Sequence, residues 1–270
     1  ERMRPPHHTG LTMPQVKPTL PYRIYNEDCF STFTRLGAGT VDLVLCDPPY
    51  GTTQCSWDSV IPIAPMWEAL HRICKPNAAI VLTAMQPFSS VLVTSNLARF
   101  KYQWVWNKGG VATGFLNAKK QPLRNHEDVL VFYKQQPTYN PQFEKGTPYR
   151  TYRSGPSSSN YGDQVPVDTN NDGFRYPKTV LSVSLEKLTG KVHPTQKPLA
   201  LMSYLLKTYS NPGDTVLDFA MGSGTTGVAC MVHGRKFVGC DSDTENGYFD
   251  TAELRIKTAW RQAQQKRPSV

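Results

Sequence analysis

The tetrapeptide Asp47-Pro48-Pro49-Tyr50 closes the apolar run 41–46 and concentrates unusual chemistry in four positions. Each proline fixes its own φ and drives the residue before it toward an extended backbone, so Asp47 and the Pro48 carbonyl are held in a stiff turn. Two acceptors placed this way suit an aromatic amine such as that of adenine or cytosine. That amine is a poor nucleophile, because its lone pair is delocalised into the ring. Accepting from both N–H bonds pulls the nitrogen toward tetrahedral geometry and aims its lone pair at a methyl sulfonium, while Tyr50 offers a ring for base stacking. The blander alternative is a turn that only ends a strand.

A second concentration lies far downstream. Gly222-Ser223-Gly224-Thr225-Thr226-Gly227 is a G-x-G-x-x-G between an expected strand and an expected helix, and Asp241 ends the next apolar run nineteen positions after Gly222. Glycines let backbone approach an adenosine-containing ligand, and an acidic residue at that spacing accepts from ribose hydroxyls. Two cofactors fit, a nicotinamide dinucleotide or S-adenosylmethionine. Asp218 decides for the second: a carboxylate four positions before the first glycine repels a pyrophosphate but faces the ammonium of an amino-acid cofactor. The six cysteines form no CxxC pair and the histidines no HExxH, so no metal is expected.

The elements that must position these groups read as alternating strands and helices. Strands are expected at Val41–Cys46, Ala79–Thr83, Tyr102–Trp106 and Asp128–Tyr133, with helices at about Ala64–Cys74 and Phe88–Ala98. After His193 the pattern resumes with a helix at 198–209, strand Thr215–Leu217, a helix opened by the glycine loop, strand Lys236–Cys240 and a last helix from about Asn246. Such alternation is the signature of βαβ units. Residues 138–191 instead dissolve into Gly, Ser, Asn, Pro and Tyr, too long for an ordinary connection. Aromatic residues there are interleaved with Arg150, Arg153, Arg175 and Lys178, a mixture that suits phosphate contact and base stacking, although loop aromatics also simply pin a loop to a core. The expected organisation is a tail over 1–20, a first half of one domain over 21–137, an insertion over 138–191, and the second half over 192–270.

The net charge of +9 falls outside 41–100 and 192–234, which are close to neutral. A neutral crevice inside a basic frame suits a polyanion such as DNA. Lys119, Lys120 and Arg124 belong to that frame, in the loop before strand 128–133. No apolar run approaches membrane-spanning length and the N-terminus lacks a signal-peptide layout, so a cytoplasmic protein with no membrane partner is expected.

Taken together, Asp47–Tyr50 resembles the catalytic motif of amino-methylating DNA methyltransferases, and Asp218–Thr226 is similar to their cofactor motif. The order, catalytic motif first, resembles the β class. That resemblance implies an α/β, Rossmann-like methyltransferase fold, a mostly parallel sheet with helices on both faces and a permuted motif order. It covers about 22–134 and 192–258. It implies that Asp47, Pro48, Pro49 and Tyr50 are catalytic and that Asp218, Ala220, Gly222, Ser223, Gly224, Thr225 and Asp241 bind S-adenosylmethionine. His193–Pro198 resembles the family motif whose Thr195 and Lys197 help hold the methionine carboxylate, and Asn26–Cys29 the turn where Asp28 and Cys29 meet the cofactor adenine. Asn125–Asp128 is similar to a further family motif. One departure is Ala220, where the family usually has phenylalanine; Phe219 is displaced by one. Position 138–191 corresponds to target recognition, Trp57 falls in a loop over the flipped base, and a homodimer is expected by resemblance alone. Asp at the first motif position points to adenine N6 rather than cytosine N4. The rival readings are an N4-cytosine enzyme, an RNA adenine methyltransferase, a nicotinamide oxidoreductase and a cofactor-free DNA-binding protein; C5 methylation is excluded by the lack of a Pro-Cys pair.

Overall fold

Apart from Asp42, Val41–Cys46 is apolar on both alternating faces, as a strand covered on both sides must be. It sits inside an eight-stranded sheet. The computed structural model describes residues 20–51, 59–153, 166–185, 196–242 and 247–266. In chain order the strands are β1 (Tyr22–Asn26), β2 (Val41–Cys46), β3 (Cys74–Ala84), β4 (Phe100–Asn107), β5 (His126–Phe132), β6 (Glu144–Lys145), β7 (Tyr149–Arg153), β8 (Val167–Asn171), β9 (Phe174–Arg175), β10 (Val180–Ser182), β11 (Thr215–Asp218) and β12 (Lys236–Asp241). The helices are α1 (Cys29–Arg35), α2 (Ile63–Ile73), α3 (Phe88–Ser95), α4 (Leu199–Tyr209), α5 (Thr225–His233) and α6 (Tyr248–Gln265). Among the described residues none is long and apolar enough to cross a membrane.

The main sheet runs β1-β12-β11-β2-β3-β5-β4-β10. All neighbours are parallel except β5, which is antiparallel to both β3 and β4. The exception has a simple cause: β4 and β5 are joined by a loop without a crossover helix, and parallel neighbours need a long crossover. Side chains alternate across the strands. Leu43, Leu45, Ala79 and Val81 meet α4, α5 and α6, while Val44, Cys46, Ile80 and Leu82 meet α1, α2 and α3. The expected mostly parallel sheet with helices on both faces is what is found.

Among the places where chain order and space order diverge, the β2–β11 pair matters most for the site. From β2 the chain winds through α2 to β3, and from β11 it winds the opposite way through α5 to β12, although β2 and β11 are neighbours. Such a switch point opens a crevice beyond the carboxyl ends of the two strands. Asp47 and Asp218 stand at those ends.

Two of the three loop glycines serve packing. A Cβ on Gly227 would lie 2.5 Å from Ile256 Cδ1 and 2.7 Å from Phe237 Cε1, and one on Gly224, whose φ is +75°, would lie 3.0 Å from Ala252 Cβ. They let α6 and β12 close on α5, whereas the sequence reading had assigned glycines here to the approach of a ligand.

The described part of the block 138–191 holds more regular structure than its composition suggests. β6 pairs with β9, and β7 with β8, as two antiparallel ribbons outside the main sheet. Every residue of β7 is exposed, so no apolar alternation marks it in the sequence. Its last strand, β10, rejoins the main sheet beside β4. At the other end, the Asn140 side-chain amide donates to Lys207 O, Ser210 O and Asn211 Oδ1 at 3.1–3.2 Å, tying the segment to the end of α4. β1 and α1 were likewise not anticipated. The tail over 1–19 lies outside the described residues.

Candidate active site

Asp47 follows β2 and its carboxylate is held on both oxygens. Oδ1 accepts from the Tyr50 hydroxyl at 2.7 Å and from Thr83 Oγ1, which reaches it from the buried end of β3. The Tyr50 hydroxyl also lies 3.0 Å from Thr83 Oγ1. Oδ2 accepts from Lys197 Nζ at 2.5 Å. A carboxylate offers roughly four lone-pair positions, so among the described residues three are filled and about one is left open. The Tyr50 ring packs 5.6 Å from Phe88, and its hydroxyl is pushed well above the usual tyrosine pKa by burial and then by the Asp47 and Glu127 charges.

Lys197 precedes α4 and is only 8% exposed. Its ammonium pairs with Asp47 and lies 3.3 Å from Glu127 Oε2. Burial alone would lower its pKa, but the two carboxylates outweigh that and hold it above the usual lysine value. Glu127, on β5, is in turn 2.6 Å from the buried Lys108 ammonium just past β4. The result is a buried row Lys108–Glu127–Lys197–Asp47 of alternating sign. Sequence reasoning placed Lys197 on the methionine carboxylate; here it joins Asp47. It missed Lys108 and Thr83 as participants, and it noted Glu127 only within a familiar motif. Thr83 and Glu127 carry the signal of a polar residue near the end of an apolar run, whereas Lys108 follows a strand already holding Lys101 and Gln103 and has no such mark.

Asp218 ends β11 and is buried among neutral donors: the Thr226 hydroxyl, the Cys46 thiol and, at 3.2 Å, the Ala220 amide. Burial, with a further contribution from Asp47, raises its pKa to about 6. The Cys46–Asp218 hydrogen bond joins the strand ends that carry the two motifs, and the thiol pKa is pushed well up by burial first and then by the Asp218 charge and this hydrogen bond. Asp241 Oδ2 accepts from the Gly222 amide at 2.8 Å, which fixes the loop where Gly222 has φ +48°. Ser223 Oγ lies 3.4 Å from Gln196 Oε1, and Ser223 O accepts from Arg255. Thr225 Oγ1, at the start of α5, is buried and has no hydrogen-bond partner among the described residues.

Other expected site residues fall as follows. Asp28 caps α1, accepting from the Phe30 amide at 2.9 Å and from the Ser31 amide and hydroxyl at 3.1 and 2.5 Å. Cys29 is buried behind it, with its thiol pKa pushed up to about 11 by burial first. Both sit beside the crevice rim, because Asn26 is in register with Asp241. Phe219 packs in the core edge-on to Phe33, 5.6 Å away, while half-buried Ala220 lies at the loop. Pro48 is buried and Pro49 half-buried. Lys119, Lys120, Arg124, Arg153 and Lys178 are exposed. Arg150 is exposed but paired with Asp168 at 2.5 Å. Arg175 is occupied inside the ribbons, donating to Asn171 Oδ1 and Thr147 O and lying over the Tyr149 ring. Trp57 and Thr195 lie outside the described residues.

Comparison with known proteins places this geometry. A family model described as DNA methylase, N6_N4_Mtase, matches residues 41–253. The chain is 27% identical over 248 residues to the type II methyltransferase M1.MboII of Moraxella bovis, spanning 83% of this chain and 92% of that one. It is 28% identical over 244 residues to the DNA adenine methyltransferase YhdJ of Escherichia coli K12, spanning 82% and 79%. Among solved structures, the M1.HpyAVI–SAM complex superposes with a TM-score of 0.58 at 26% identity, covering 87% of this chain and 99% of that one. The cytosine-N4-specific PvuII DNA methyltransferase shares the fold, with a TM-score of 0.63 at 13% identity over 91% and 93% of the two chains. With the Asp47–Tyr50 tetrapeptide and the glycine loop at neighbouring strand ends and the family model matched over most of its length, the chain belongs to the N6/N4 family of S-adenosylmethionine-dependent DNA methyltransferases.

Proposed function

We propose that this enzyme methylates N6 of adenine in DNA. The observation that carries the reading is the pair of strand ends at the switch point: Asp47 with one acceptor position open on β2, and the glycine loop with Asp218 on neighbouring β11. Asp at the first motif position and the likeness to a DNA adenine methyltransferase favour adenine over cytosine.

The residues fit the cofactor. An orphaned Thr225 hydroxyl, a carboxylate at Asp218 awaiting a cation and an acidic residue at Asp241 line one loop. Asp218 faces the cofactor ammonium, Asp241 the ribose hydroxyls, and Ser223, Gly222, Gly224, Thr225 and Ala220 line the path between them. Asp28 and Cys29 would border the adenine and Thr195 would serve the methionine carboxylate, while the Lys197 ammonium is engaged by Asp47 and Glu127. When bound, S-adenosylmethionine supplies an electrophilic methyl group on sulfur. Asp47 and the Pro48 carbonyl accept the two N–H bonds of the target amine, while Thr83 and Lys197 keep the Asp47 carboxylate from turning. Tyr50 closes one wall and Pro49 stiffens the turn. Residues 21–137 and 192–270 act as one catalytic domain, and 138–191 reads the target through exposed Arg153 and Lys178, with Lys119, Lys120 and Arg124 on phosphates and Trp57 near the extruded base. Arg150 and Arg175 hold the ribbons in shape.

Digesting DNA methylated by the enzyme and separating the nucleosides by mass tests the acceptor. N6-methyladenine is the expected product. N4-methylcytosine as the main product overturns the adenine assignment and leaves amino methylation standing.

A further inference from the structure

The loop from β4 to β5 carries two large apolar side chains into solvent. Phe115 is 67% exposed and Leu116 fully exposed, at 102%. They occupy a short helical turn, Phe115–Asn117, closed by bonds from the Asn117 amide to Gly114 O and from the Ala118 amide to Phe115 O. Below it the stem is pinned by reciprocal Thr113 and Arg124 backbone bonds of 2.7 and 3.0 Å and by the Lys108 amide on Asn125 O at 2.9 Å. This is an ordered finger that forgoes burial of its tip, which apolar surface normally seeks.

Its position follows from the topology. β4 runs parallel to β3 and β2, because β5 is antiparallel to both its neighbours, so the finger rises from the same edge as Asp47. The Lys108–Glu127–Lys197–Asp47 row ties its base to the catalytic carboxylate. Charge selects the occupant. Between Lys108 and Glu127 the finger carries Lys119, Lys120 and Arg124 and no acidic residue, which suits a polyanion; a second copy of this chain, at +9, repels it.

We propose that Phe115 and Leu116 are a wedge that enters the base stack of duplex DNA where the target base leaves it, with Lys119, Lys120 and Arg124 on the flanking phosphates. The inference rests on the reading of the Asp47 crevice as the seat of an extruded base. A base inside a duplex cannot reach that crevice without unstacking, and apolar side chains inserted at a base step offset the loss.

The test uses the full chain and a duplex containing a site mapped from DNA methylated by the wild type. A second duplex is identical except for an abasic position opposite the target. Phe115→Ser/Leu116→Ser is expected to lower kcat/KM at least tenfold on the paired duplex and to recover most of that loss on the weakened one. S-adenosylmethionine affinity and the thermal midpoint stay unchanged, since both side chains are exposed. Equal losses on the two duplexes, or no loss, overturn the wedge. So does a dimer that dissociates in the variant with matching loss of activity on both duplexes, which assigns the finger to a second copy. A wild type that methylates no DNA overturns the underlying reading, an outcome distinct from failure of the variant alone.

Discussion

Two aspartates at the ends of neighbouring strands have been prepared in opposite ways. Asp47 shares a buried ammonium and two hydroxyl donors. Asp218 has no cation beside it among the groups that shift it, and burial raises its pKa to about 6. The first carboxylate is held in place by three donors from Tyr50, Thr83 and Lys197. The second lacks a positive partner that a cationic ligand can provide. One residue type is thus given two environments, and the difference comes from what the adjoining strands and helices bring.

Substituting Asp47 breaks the comparison most severely. Asp47→Ala is expected to slow methyl transfer by about 10³-fold, the scale of losing a preorganised electrostatic partner. S-adenosylmethionine binding stays within a few-fold. Single-turnover transfer of labelled methyl and calorimetric titration of the cofactor measure the two effects; parallel collapse of both would mean that Asp47 belongs to the cofactor side.

Glu127→Gln attacks the preparation of Asp47 from behind. It leaves two buried ammonium groups, on Lys108 and Lys197, with one carboxylate between them. Removing one partner from such a network costs about 3 kcal/mol of stability. Denaturant unfolding reads this directly, and an unchanged midpoint would show that the row is solvated in solution.

The smallest effect sharpens the other side. Asp218 is expected to bind the cofactor ammonium only when ionised. With its free-enzyme pKa at about 6, affinity should therefore rise by about tenfold from pH 5 to pH 7 and flatten above. Ligand binding that lowers the carboxyl pKa is favoured as pH rises, which fixes the sign. Asp218→Asn should bind more weakly and without this dependence. A wild-type curve flat across the range places the ammonium elsewhere.

The contrast was only half legible in the sequence. Both aspartates, the glycine loop and the strands leading to them could be read because β2, β11 and β12 are buried on both faces and therefore nearly continuous apolar runs. The Lys197–Asp47 pair spans 150 positions, and no local pattern announces it. Asp28 shows a related ambiguity: a residue expected to meet the cofactor caps α1, a role that Asp also favours on local grounds. β7 and β8 escaped because exposed strands need no apolar alternation, and β10 because three residues are too few to carry a period.

The way the ribbon segment is fastened has a consequence for how such a chain can change. Asn140 moors one end to α4 and β10 moors the other to β4. Between two fixed moorings, the entropy of closing a loop grows only with the logarithm of its length, about 0.6 kcal/mol for each doubling. The ribbons contribute no strand to the main sheet before β10, so their length and content can vary while the catalytic edge keeps its register. A segment up to twice as long can therefore be installed on the same frame at a loop-closure cost smaller than that of one lost buried methylene, about 0.8 kcal/mol.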